Sequence, residues 1–350
     1  MRKKSKGLPL LIAVLFLAAA VLGGLNYFGT FLYDNVADSS VDIYLSNDMT
    51  GEQMLETVVN SGAIDNTATF KRAARHLGKA DAFKPGHYRL RSGLGNKAIV
   101  RTLAFGWQTP VNVTFTGYFR NLDRLAGHIS RQLEPDSAAF LAAFSDPATI
   151  EKYGFRKATF IAMFIPNTYE VYWTMTPEEF IERMHKEYEK FWTEERLDKA
   201  KAAGLTPQQV STLASIVSEE TKYEPEMPII AGVYINRLRK GMPLQADPTV
   251  KFAVGDESLR RVLNTHLAVD SPYNTYKYAG LPPGPICMTP VSALEAVLNY
   301  RRHNYLYFCA KSTLDGQHAF AATLSQHNSN AQAYHLAISR QHRSSLKTDS

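Results

Sequence analysis

Two adjacent acids, Glu219 and Glu220, close a run of apolar residues in the middle of the chain. Side chains suited to a hydroxylated ligand follow them: Asn236, Gln245, Asp247, Thr249, Tyr273, Asn274 and Thr275. Val210, Leu213, Ala214, Ile216 and Val217 define one helical face at roughly 100° per residue, with Glu220 about 50° from its centre and Glu219 about 150° away. The spacing therefore puts the two acids in different solvents. Glu219 is expected to be an ordinary exposed carboxylate. Glu220, at the edge of the core, loses hydration, which disfavours its charged form and raises its pKa. A carboxylic acid still protonated near neutral pH is equipped for general acid catalysis. The bland alternative is an ion pair between Glu220 and Arg237 or Arg239, since structural pairs also sit at core edges.

The elements that position these groups carry their own start and stop signals. Thr206 can cap the first helix, Pro207 suits its first position, and Gln209 completes a capping box. Pro225 and Pro228 mark a turn, and a second helix over residues 229–240 stops at Gly241, with Asn236 and Arg237 near its end. Residues 244–249 read as a loop carrying Gln245, Asp247 and Thr249. Residues 270–276 and 280–286 are dense in proline and glycine and have little backbone freedom to lose, so they make a rigid shelf for polar side chains. Gln245, Asn274 and Thr275 can exchange hydrogen bonds, while Tyr273 and Tyr276 offer flat faces. A sugar polymer, whose rings have hydroxyl edges and CH faces, demands that mixture. A helix from residue 289, a hairpin over 305–310 and 318–323, and a final helix holding His327 complete the scaffold. His318 and His327 read as structural, with reach into a cleft as the alternative.

Composition narrows the class. A chain of 350 residues, 45% hydrophobic, can bury a sizeable core and suggests two soluble domains. Its 39 basic and 33 acidic residues form no arginine-rich stripe, which argues against nucleic acid as a partner. Cys287 and Cys309 are too few for a disulfide framework or a zinc ribbon, and no HExxH pattern occurs. The fragment Gly93-Leu94-Gly95 lacks the third glycine and the setting of a dinucleotide site. No metal or cofactor is called for.

Arg2, Lys3, Lys4 and Lys6 precede an apolar run over residues 8–28, close to the ~20 residues that span a bilayer. The positive-inside rule keeps residues 1–7 in the cytoplasm and sends the rest outside. A cleaved signal peptide is the alternative. The length of the run and the interfacial aromatics Tyr27, Phe28 and Tyr33 favour an uncleaved anchor in the cytoplasmic membrane. Residues 29–40 read as a polar stalk. Residues 41–108 alternate strand, helix, helix, strand and helix, and resemble the LysM-like modules that hold glycan strands. Residues 109–342 form a larger mixed α+β domain, in which residues 176–203 carry one amphipathic stripe of Phe180, Met184, Tyr188 and Phe191. Residues 343–350 read as a frayed polar tail. The fold class is α+β: a transmembrane helix, a small module and a large domain with a helix-borne glutamate and a C-terminal hairpin.

Five ordered segments carry a family resemblance: Leu213-Ala214-Ser215-Ile216-Val217-Ser218-Glu219-Glu220-Thr221, Val233-Tyr234-Ile235-Asn236-Arg237-Leu238, Leu244-Gln245-Ala246-Asp247-Pro248-Thr249, Ser271-Pro272-Tyr273-Asn274-Thr275-Tyr276 and Gly280-Leu281-Pro282-Pro283-Gly284-Pro285-Ile286. Together they resemble the endolytic murein transglycosylase (YceG-like) family. The resemblance extends more weakly over the whole chain, through the anchor, the module, the Ile165-Pro166-Asn167-Thr168-Tyr169 segment and the hairpin. It implies a membrane-anchored lyase that cuts inside peptidoglycan strands during wall synthesis, with Glu220 at the family's catalytic glutamate. Peptidoglycan strands are then the substrate, and peptidoglycan synthases are candidate partners. Two segments depart from the family pattern: Thr116-Gly117-Tyr118-Phe119-Arg120, where an acidic residue and a glycine are usual, and Cys287-Met288-Thr289-Pro290, where asparagine-proline-glycine is usual. Neither touches the five segments.

A single well-placed acid is informative in that context. Glycosidases that use water generally carry two carboxyl groups, about 5–5.5 Å apart for retention or roughly 6.5–9.5 Å for inversion. A lytic transglycosylase needs one, which first protonates the glycosidic oxygen between N-acetylmuramic acid and N-acetylglucosamine. It then accepts the proton of the muramic C6 hydroxyl as that group closes on C1, leaving a 1,6-anhydro end. Asn236, Gln245 and Asn274 are candidates for gripping N-acetyl groups or orienting Glu220, and Tyr273 for stacking on a ring. Asp247 is expected to shape its loop. The rivals are a muramidase-type hydrolase, with Asp247 activating water, and a catalytically silent, membrane-tethered glycan-binding scaffold.

Overall fold

No charged side chain interrupts residues 7–27, and in the computed structural model they form one helix, α1 (Gly7–Tyr27), continued by a π-helical turn over Phe28–Leu32. Residues 7–36, 39–116, 119–256 and 259–348 are described. Residues 1–6 of the expected cytoplasmic tail, the Gly117-Tyr118 pair and the last two residues of the expected polar tail lie outside them. The helical run Leu8–Leu32 is long and apolar enough to cross a membrane, and Leu10, Phe16 and Leu22 stand exposed along it. The chain divides into two units: Met1–Val113 with Arg131–Pro135 and Tyr169–Thr176, and Thr114–Ser130 with Asp136–Thr168 and Pro177–Ser350.

In the first unit the expected stalk is packed. Thr30, Phe31, Asn35 and Val36 are buried. The Asn35 amide donates to Asn96 Oδ1 at 2.6 Å and to the Asn66 carbonyl at 2.9 Å, while the Asn96 amide donates to the Thr30 carbonyl at 2.8 Å. Polar composition suggested a solvated linker, yet a buried amide is stable wherever its hydrogen bonds are complete. The βααβ order follows as β1 (Val41–Leu45), α2 (Gly51–Asn60), α3 (Thr67–His76) and β2 (Gly86–Leu90), with β1 antiparallel to β2 from Val41↔Leu90 to Leu45↔Gly86. A Thr50/Gln53 capping box starts α2 and Asn66 caps α3. Next comes α4 (Asn96–Phe105), which ends where Gly106 takes φ 69°. Ile43, Leu45, Val58, Phe70, Tyr88, Leu90, Ile99 and Leu103 form the core of this unit.

The chain continues through β3 (Val111–Phe115), α5 (Leu122–Ile129), α6 (Ser137–Ser145), α7 (Pro147–Lys152), β4 (Asn167–Val171), α8 (Pro177–Phe191) and α9 (Glu194–Ala203), with β3 paired to β4. The single amphipathic stretch expected over residues 176–203 is therefore two helices. Thr193 caps α9 and Trp192 turns into the core, so the chain is broken between them. The second unit is completed by α10 (Pro207–Glu220), α11 (Met227–Arg239), α12 (Asp247–Val254), α13 (Val291–Leu298), the antiparallel hairpin β5 (Tyr307–Ala310) and β6 (His318–Ala321), and α14 (Leu324–Thr348). The backbone of the expected tail is thus helical as far as Thr348.

Helix α10 lies at the centre of this unit, with every residue from Val210 to Ser218 buried. A helix enclosed on all sides needs its hydroxyls satisfied. Ser211, Thr212, Ser215 and Ser218 donate back to the carbonyls of Pro207, Gln208, Thr212 and Ser215 at 2.7 to 3.2 Å. This lets the polar side of the helix enter the core as well as the apolar side.

Candidate active site

Enclosure of α10 leaves its last turn as the place where a carboxylate meets solvent. Glu219 is half-buried, not exposed as its helical position suggested, because the serine face of α10 is covered too; it pairs with Lys222 at 2.7 Å. Glu220 is half-buried and accepts a hydrogen bond from Tyr234 Oη at 2.7 Å. The ion pair weighed as its bland explanation does not form. Arg237 spends its guanidinium on the carbonyls of Leu306, Pro243 and Leu244, and Arg239 donates to Tyr300 Oη.

Burial is the largest cause acting on Glu220 and pushes its pKa up to about 7. The Tyr234 hydrogen bond opposes the shift, the charges of Asp247 and Glu219 reinforce it, and Lys251 opposes it weakly. The C-terminal end of a helix is also an unfavourable place for negative charge. Tyr234 itself is 1% exposed, and burial together with Glu220 holds its phenol far above the usual range. This hydroxyl stays a donor at any working pH.

Asp247 opens α12 and does not lie in a loop. It is exposed and accepts from Tyr276 Oη at 2.6 Å. Gln245, also exposed, takes φ 50°, its N–H donates to the Thr275 carbonyl, and its Oε1 accepts from Arg237 at 3.4 Å. Thr249, Asn274 and Thr275 are buried. The Thr249 and Thr275 hydroxyls meet at 2.8 Å, and Thr275 Oγ1 accepts from the Ala246 N–H. Asn274 donates to the carbonyls of Leu267 and Val269. Asn236 lies about 200° round α11 from Tyr234, and its amide donates to the carbonyls of His303 and Tyr305. Tyr273 is half-buried, its ring 4.6 Å from that of Phe252.

Among the residues read from the sequence, the structure therefore gathers Glu220 and Asp247 in one electrostatic neighbourhood with Lys251. Asn236, Thr249, Asn274 and Thr275 hold the backbone of the surrounding loops. Tyr234 and the hydroxyl of Tyr276 are the groups the sequence reading missed. The signal available was that a buried tyrosine needs an acceptor for its O–H. His318 pairs with the buried Glu226 at 2.8 Å, and His327 stacks on Tyr307. Both thiols are free, and burial pushes the Cys287 thiol up to about 12. In the departing segment, Cys287 Sγ lies 4.0 Å from Ser218 Oγ, and Thr289 donates to the Ser211 carbonyl, so these residues pack along α10.

Among the described residues Glu220 is the carboxylic acid whose pKa is raised, and such a group can both give and take a proton near neutral pH. The chain belongs to the YceG-like family, whose profile matches residues 43–333. An endolytic murein transglycosylase of Bacillus subtilis (strain 168) is 31% identical over 335 residues, covering 90% of this chain and 91% of its own length. An endolytic murein transglycosylase of Streptococcus pneumoniae (strain D39) is 28% identical over 359 residues, covering 91% of this chain and 63% of its own length. The crystal structure of a yceG-like protein from Listeria monocytogenes is similar with a TM-score of 0.54 at 27% identity, covering 84% of this chain and 99% of that one.

Proposed function

We propose that this chain is an endolytic lytic transglycosylase of peptidoglycan, held in the cytoplasmic membrane by α1 with its N-terminus inside and the chain that follows α1 outside. The observation that carries the chemistry is the half-buried Glu220, raised to about 7 and bonded to a neutral phenol. At neutral pH a large fraction of it is protonated, and it can give that proton to the oxygen linking N-acetylmuramic acid to N-acetylglucosamine. The C1–O bond breaks, the glucosamine leaves with the proton on its oxygen, and the muramic C6 hydroxyl forms the new bond to C1. The C6 proton passes to the Glu220 carboxylate, which restores the acid. One group serves both steps because its pKa lies near the working pH.

Asp247, whose charge acts on Glu220, and Gln245 are exposed and Tyr273 is half-buried, and these three are our candidates for meeting the sugars. Asn236, Thr249, Asn274 and Thr275 act by holding the backbone of the surrounding segments. The βααβ order of the first unit supports its reading as a LysM-like glycan-binding module, and strands under synthesis are its natural ligand. Peptidoglycan synthases, which supply such strands, are the proposed neighbours.

Mass spectrometry of digests of purified peptidoglycan tests the reaction. Anhydro ends are expected with the wild type, and none with Glu220→Gln. Ends bearing one added water instead would assign the muramidase reaction, with Asp247 as the base. Digestion that survives Glu220→Gln would remove this residue from the chemistry, and a wild type without cleavage would leave a binding scaffold.

A further inference from the structure

A carboxylic acid has two oxygens, and the proton handed to a leaving group sits on one of them. Tyr234 reaches Glu220 from α11 and donates to Oε1 at 2.7 Å. A donor at Oε1 makes that atom the carbonyl oxygen of the neutral acid, so the proton resides on Oε2. Among the described residues Oε2 has no hydrogen-bond partner, and Glu220 as a whole is half-buried.

We propose that Tyr234 is the positioning residue of this site: it assigns Oε2 as the oxygen that gives and regains the proton, and it stabilises the carboxylate left after the first transfer. The inference rests on the reading of Glu220 as the acid and base of the reaction, and adds to it the group that controls that acid. The phenol has little freedom to do anything else. Its ring stands edge-on to Phe308 at 5.9 Å and 85°. Phe308 in turn stands edge-on to His318 at 5.4 Å and 88°, and His318 is tied to the buried Glu226. Swinging the hydroxyl away would strand a buried donor.

The bond also changes strength in the useful direction. While Glu220 is neutral it joins two neutral groups; once the proton has left, it becomes charge-assisted and roughly twice as strong. An interaction that tightens as the proton departs lowers the barrier instead of only holding the ground state. The other groups facing Glu220 are Glu219 on α10 and Asp247 and Lys251 on α12, while Arg237 on α11 and Tyr276 act on Tyr234. Cys287 lies against Ser218 and stays a neutral thiol.

The test is Tyr234→Phe in the full chain in detergent, with cleavage rates on purified glycan strands followed across pH. An acid that must be protonated loses activity as pH rises through its pKa. Because the phenol favours the carboxylate, removing its O–H is expected to move that basic limb up by about one pH unit and to lower the plateau about tenfold. Phe308→Leu, which keeps the hydroxyl but removes its brace, is expected to move both in the same direction by less. Thermal unfolding of each variant checks that it is folded. A lowered plateau with the limb unmoved would overturn the proposal in favour of simple packing, and a variant identical to wild type would overturn it outright. Glu220→Gln run alongside separates the two levels. If that variant still cleaves, the reading of Glu220 fails and Tyr234 with it; if it is inactive while the Tyr234→Phe limb stays put, only the role of Tyr234 fails.

Discussion

Asp42 in the first unit and Glu220 in the second each accept a hydrogen bond from a buried ring side chain, yet they are pushed in opposite directions. Asp42 lies between Arg89, at 2.8 and 2.9 Å, and His87, at 2.7 Å, and the Arg89 hydrogen bond is the main cause that holds it below the usual carboxylate range. Glu220 meets a neutral phenol and two like charges, and burial drives it up to about 7. A carboxylate matched to a cation is committed to structure, here to joining β1 and β2. One matched to a neutral donor keeps a proton available for transfer.

The sharpest way to break this contrast is to remove the second carboxylate's charge chemistry altogether. Glu220→Gln is expected to lower the rate by about 10³-fold, within the range of general acid–base catalysis, with circular dichroism unchanged. The same substitution should alter stability in a direction opposite to that of an ordinary acid. Glu220 is raised from 4.5 to about 7, so between those values the folded chain holds a proton that the unfolded chain has released. Stability therefore falls as pH rises through that window, by about 3 kcal/mol in all, and is level above it. Urea midpoints in detergent at several pH values should show this fall in the wild type and not in Glu220→Gln, which becomes the more stable protein at pH 8.

Asp42→Ala tests the other side. Its side chain is 35% exposed, so the loss is expected to be only about 1 kcal/mol. For the wild type that contribution is present above pH 3.8 and is lost as pH falls through the lowered pKa. The basic limb of the activity profile should not move, and a shift would show the two sites to be coupled. The smallest effect is expected from Asp247→Asn. Removing a charge that favours protonation of Glu220 should move the basic limb towards acid, the opposite direction to Tyr234→Phe, as a pH–rate profile would show.

The capping box at Thr206 and the apolar spacing of α10 make the helix and the partial burial of Glu220 legible in the sequence, because both follow from local rules. What escaped was partnership across elements. Nothing in the residue type of Asn236, Asn274, Thr249 or Thr275 says whether its polar group meets a ligand or a main-chain carbonyl some distance along the chain, and all four meet the backbone. Tyr234 was passed over for the converse reason: an aromatic inside an apolar helix looks like packing until its neighbour is known. Thr193 shows the limit of periodicity, since one helix is expected over residues 176–203 but the cap at Thr193 ends the striped helix α8 and starts α9. Residues 30–36 show the limit of composition, because two asparagines, Asn35 and Asn96, can be buried when each other and main-chain carbonyls complete their hydrogen bonds.

That last network reaches beyond the first unit's stability. A Cβ on Gly95 would come within 2.6 Å of the Leu32 carbonyl oxygen, and Asn96 beside it grips Thr30. The turn after α1 is therefore packed and hydrogen-bonded against the start of α4. On the proposed reading of α1 as a membrane anchor and of the first unit as a glycan-binding module, a strand held there would stay at one height over the lipid headgroups.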